Sequence, residues 1–152
     1  MNIQPGEIGH IIQLAIAPVF LLTGVGTNML VLTNRLARII DRSRTLEERL
    51  EAPDGDAPDK ERAARDELQV LFRRARKINR AIFLSTTCAL LICMVVAALF
   101  VTDALDLRLA SVIAGMFVLA MVSLTGSFIY LLREILLATD FMNQQAKWHR
   151  PD

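Results

Sequence analysis

Three stretches of this chain, residues 8–34, 81–102 and 109–132, carry no acidic or basic side chain. At ~1.5 Å of rise per residue, a helix over any of them is longer than the ~30 Å hydrocarbon core of a bilayer requires. The expected fold is therefore all-α: an integral membrane protein with three transmembrane helices. Composition supports this, since 53% hydrophobic residues and a mean hydropathy of +0.40 are high for a water-soluble domain of 152 residues. A cleaved signal would need a basic start and a short apolar core. Residues 1–7 have no Lys or Arg and the first apolar stretch is too long, so it is expected to stay as a span.

The remaining charge is segmented. Of the 17 Lys and Arg, 13 lie in residues 35–80. Basic residues in short loops favour the cytoplasmic side, so that segment is expected inside, with the amino terminus and the connection 103–108 outside. Arg133, Lys147 and Arg150 then place the carboxyl-terminal stretch, 133–152, in the cytoplasm. The expected order is span 8–34, cytoplasmic helical hairpin 35–80, span 81–102, external loop 103–108, span 109–132, and a helical extension and tail.

Residues 35–80 keep a helical rhythm of apolar residues. Leu36, Ile39, Ser43, Leu46 and Leu50 alternate steps of three and four, as do Ala64, Leu68, Leu71, Ala75, Ile78 and Ile82. This is the seam pattern of a coiled coil, and Pro53, Asp54, Gly55, Asp56 and Pro58 break it into two arms. Antiparallel pairing of the arms predicts a Glu47–Arg65 ion pair. Ile40 and Phe72 flank the seam, giving each arm more apolar surface than one partner covers. They imply either a homo-oligomer or cover by headgroups or the tail. Arg73, Arg74, Arg76, Lys77 and Arg80, just before the second span, are candidates for lipid headgroups, anionic ones above all.

The first span is interrupted by Gln13, Pro18, Thr23, Gly24, Gly26, Thr27 and Asn28. On a helix of 3.6 residues per turn, Gln13, Ala17, Gly24, Asn28, Val31 and Arg35 fall on one side with Thr23 and Thr27 beside it. Gln13, Thr23, Gly24, Thr27, Asn28 and Arg35 are thus candidates either to line a water-filled path between copies or to pack helices together. In the third span, Ser111 with Gly115 and Ser123 with Ser127 offer further small pairs for close packing.

Chemistry of other kinds has little to stand on. His10 and His149 fall on opposite sides of the membrane, and Cys88 and Cys93 lie five apart on different helix faces. No metal site, cofactor, catalytic set or phosphate-cradling glycine loop is expected, and so no enzyme. Ten acidic residues offset the 13 basic ones in 35–80, and Phe72 is its one aromatic residue. Nucleic acid is not an expected partner. An oligomeric ion channel ranks slightly ahead of a non-conducting scaffold or sensor, because one copy has few helices with which to shelter so many polar groups.

The run APVFLLTGVGTNMLVLTNRLARIIDRSRTLEERL, and within it Pro18, Thr23, Gly24, Asn34, Arg35 and Asp41, resembles a bacterial family of small three-span membrane proteins known only as a domain of unknown function. The resemblance covers nearly the whole chain. It implies a bacterial inner-membrane location and three spans, and it brings no activity with it. A homo-oligomer predicts a protein mass in detergent that is a multiple of 17.0 kDa; a stable monomer would remove both the shared hairpin and the pore.

Overall fold

The computed structural model describes residues 5–51, 58–104 and 109–148, except for the side chains of 5–8, 10–11, 58–59, 103–104 and 137–148. Helix α1 runs Pro5–Glu51, α2 Pro58–Ala104 and α3 Ala110–Trp148. No strand occurs among the described residues. All three helices are long and apolar enough to cross a membrane. The turn expected at Pro53, Asp54, Gly55 and Asp56 lies outside the described residues, as do most of the 103–108 connection, His149 and Arg150.

Local chemistry explains where the helices begin. Pro5 and Pro58 are the first residues of α1 and α2, where a missing N–H costs nothing because the first turn has no acceptor for it. Helix α3 starts on the Leu109 carbonyl, which accepts 3.0 Å bonds from the N–H groups of Val112 and Ile113. Pro18 sits inside α1 and is buried. As expected, the helices do not stop where the uncharged stretches stop, and α3 continues well past Leu132.

The chain divides into two compact units, Met1–Leu30 with Phe83–Ser127, and Val31–Ile82 with Phe128–Asp152. In the first, Val25 of α1, Cys88 and Ile92 of α2 and Ala120 of α3 form the core, with Leu21, Leu22, Ala89, Leu91 and Leu124 packed on it. Large apolar side chains face outward around it: Phe20, Phe83, Leu90 and Val122 are all more than 60% exposed. No more than 22% of the apolar window of any helix is buried inside the chain. Apolar surface on this scale needs lipid or another protein against it. Cys88 is buried and Cys93 exposed, both as free thiols.

In the second unit the core is Leu32, Ile39 and Leu46 of α1 with Leu71, Ile78 and Ala81 of α2. Leu36, Ala64, Leu68, Ala75 and Ile82 pack on it, joined by Tyr130 and Leu131 of α3. Leu50, the last seam position of α1, is half-buried outside this cluster. Two details differ from expectation. Arg65 bonds Glu61 in its own helix at 3.2 Å, and the pair across the helices is Arg42 with Glu67 at 2.8 and 3.2 Å, in place of Glu47 with Arg65. Burial of the leucines and isoleucines sets the register, and an exposed ion pair, screened by water, follows it. The second is that α3 joins the core, so the unit is a three-helix contact rather than a seam of two.

Truncating Ile78, which is 1% exposed, to Ala should cost roughly 2–5 kcal/mol of stability. The same change at Ile40, 47% exposed, should cost under ~0.5 kcal/mol. Reversible unfolding in detergent checks both.

Candidate functional site

Helix spacing brings one polar side chain from each helix into the first unit's interior. Asn28 of α1, Ser85 of α2 and Ser127 of α3 all lie on buried faces that advance in steps of three and four. The Asn28 Nδ2 donates to Ser85 Oγ at 2.8 Å and to Ser127 Oγ at 3.1 Å, and the two hydroxyls are 3.1 Å apart. The amide supplies two donors where apolar neighbours supply none, so it ties three helices at one point. Its Oδ1 is buried with no hydrogen-bond partner. Ser123 is also buried here, whereas Ser111 and Gly115 are exposed, so only the second small pair of α3 packs within the chain. Gly126 lets α3 approach α2: a Cβ there would meet the Leu84 methyls at 3.6 Å.

The polar stripe of α1 is divided. Asn28 is buried and Arg35 half-buried, but Gln13, Thr23, Gly24 and Thr27 are exposed. The reason is angular. The buried face runs through Ala15, Pro18, Val25 and Asn28, and at about 100° per residue the stripe is centred roughly 100° round from it. Asn28 falls where stripe and buried face overlap. Thr27 Oγ1 donates back to the Thr23 carbonyl at 3.1 Å, so that hydroxyl is satisfied without a neighbour. Thr87 and Thr125 do the same to Phe83 and Met121.

The second unit holds a buried acid. Glu134 of α3 is 2% exposed and takes one guanidinium on each oxygen. Arg35 Nη1 donates to its Oε2 at 2.5 Å, and Arg74 Nη2 to its Oε1 at 2.6 Å. Burying a carboxylate is costly unless charge and hydrogen bonds compensate, and here two helices supply both. The side chains lie in a cleft of about 350 Å³ lined also by Arg38 and Arg42 over Ile39 and Leu71. Glu67 raises the Arg42 guanidinium above its ordinary pKa, first by its hydrogen bond and then by its charge.

Of the five headgroup candidates, Arg73, Arg76 and Arg80 are exposed and Lys77 is half-buried. Arg74 departs from them by turning inward to Glu134, and its Nε is buried without a partner. Sequence reasoning missed Glu134 as a site residue and treated it as part of a helical extension. Its signal was present: Ala120, Ser127 and Glu134 are seven apart, which continues one face of α3, and a lone acid beside an apolar stretch calls for a named partner.

Three helices long and apolar enough to cross a membrane, with polar side chains paired among them, define a multi-pass α-helical membrane protein. The chain belongs to the family described as protein of unknown function (DUF2721), whose model matches residues 15–144. No curated protein and no solved structure matches it.

Replacing Glu134 by Ala leaves two guanidiniums facing each other. The expected loss is about 3 kcal/mol, at the low end for a broken buried pair because both arginines keep some water contact. Arg42→Ala, whose pair is nearly half exposed and screened by water, should cost far less. Denaturant unfolding of the two variants side by side tests the ranking.

Proposed function

We propose that this is a non-conducting membrane scaffold or sensor of the bacterial inner membrane that works through the helical pair of residues 35–80. The amino terminus is outside and the carboxyl terminus cytoplasmic, following the bias of Lys and Arg. The observation that carries the reading is the Arg35–Glu134–Arg74 tie. It joins all three helices through one buried carboxylate beside an arginine-lined cleft, an arrangement with two accessible states: bridged, or opened by a competing anion. The polarity that first favoured a channel has another home, because Asn28 is hydrogen-bonded to Ser85 and Ser127 within a single copy.

Copies assemble as a homo-oligomer through the exposed face of α1 that carries Thr23, Gly24, Gly26 and Thr27. A Cβ at Gly24 or Gly26 would meet nothing within 4 Å, so the chain by itself gives these positions no packing reason to be small. Small residues at a free helix face let another backbone approach in lipid. The same face supports a second reading, a channel between copies in which the threonines line the path.

Gly24→Leu is expected to leave the single chain folded and to lower the assembled mass in detergent. Purified protein in liposomes is expected to pass no ions. An ion flux that Thr27→Val abolishes without loss of assembly would overturn the scaffold in favour of the channel.

A further inference from the structure

We infer that the arginine cleft of the second unit binds a phosphate monoester, the tetrahedral oxyanion carried by a phosphatidic acid headgroup or by a free phosphorylated molecule. This deepens the sensor reading and rests on it for its consequence, not for the binding.

The lining already holds an oxyanion, since Arg35 and Arg74 each grip one oxygen of Glu134. Donors remain after that. Arg38 lines the cleft with no partner among the described residues, and the buried Arg74 Nε has none either. A guanidinium carries five N–H groups in a planar fork matched to phosphate, so one intramolecular bond leaves most of its capacity.

Charge selects the class of ligand. Four arginines against the single carboxylate Glu134 leave the lining at a formal charge of +3, and Glu67 on Arg42 lowers that to +2. A phosphate monoester carries roughly −1.5 to −2 at neutral pH and comes near to neutralising the cleft. A phosphodiester or a carboxylate, with one charge, does not. The cleft of about 350 Å³ accommodates such a group, and Ile39 and Leu71 give an apolar wall to the carbon skeleton behind the ester oxygen.

Position makes a lipid source accessible. Arg35 is the first charged residue after the uncharged stretch 8–34, and Arg42 is seven residues further on. That separation is ~10 Å of helix, on the scale of a headgroup layer. An incoming phosphate would compete with Glu134 for the same two guanidiniums, so ligand binding and the three-helix tie share one set of donors.

The test uses the full chain. Nanodiscs of phosphatidylcholine carry either phosphatidic acid or phosphatidylglycerol at equal surface charge, and inorganic phosphate is titrated separately onto the protein in neutral detergent. The lipid source predicts binding to phosphatidic acid about tenfold tighter than to phosphatidylglycerol, a preference that Arg38→Gln removes. The soluble source predicts Arg38-dependent binding of inorganic phosphate with no preference between the lipids. Arg38 makes no bond that the fold needs, and an unchanged melting temperature verifies that the variant folds. The exposed Arg62, outside the cleft, serves as control, and Arg62→Gln should leave binding unchanged. Absence of Arg38-dependent binding of either probe, or equal weakening by Arg62→Gln, overturns the site. Binding that leaves the cross-linking rate between the two arms unaltered retains the site and removes the sensor reading instead.

Discussion

A carboxylate removed from water must be given back most of what water supplied, and in this protein the requirement falls on Glu134. Arg35 and Arg74 meet it from two other helices, one guanidinium per oxygen. Sharing one acid couples the rotation of α1, α2 and α3 in this unit. Burial of the leucines and isoleucines sets the register along the helices, and the three-way ion tie reinforces it, since any slip also leaves a buried charge without its partner.

The first unit solves the same problem with neutral groups. Between apolar surfaces that face lipid on the outside, hydrophobic attraction does little to hold helices together, and polar contacts and close packing do more. Asn28 bridging Ser85 and Ser127 is such a contact, and Gly126 against Leu84 is an example of the packing. The two devices differ in what can disturb them. An amide and two hydroxyls carry no net charge, whereas the tie of the second unit depends on the charges of its members.

Much of the fold was legible because it rests on periodicity and charge. Three uncharged stretches gave three apolar helices, and steps of three and four named Ile39, Leu46, Leu71 and Ile78, all of which are buried in one core. What was not legible depended on facing angles between helices. Grouping Thr23, Gly24 and Thr27 with Asn28 needs only one helix wheel, but deciding which edge of that wheel is buried needs α2 and α3 in place. Glu134 was overlooked for a related reason: beside Arg133, an acid reads as part of a solvated face until a helix from elsewhere delivers Arg74 to it. The register of Arg42 with Glu67 was likewise decided by apolar packing that no count of charges contains.

The order in which the tie is completed follows from chain polarity. Synthesis runs from the amino terminus, so Arg35 and Arg74 emerge well before Glu134, the acid they share. Until α3 arrives, the two guanidiniums lack the carboxylate that they share in the folded chain. Residues 109–152 add three acidic and three basic side chains, so the last helix completes this tie without changing the net charge of the chain. A chain interrupted before that point has Arg35 and Arg74 without the carboxylate they share, a chemical mark by which an unfinished molecule differs from a finished one.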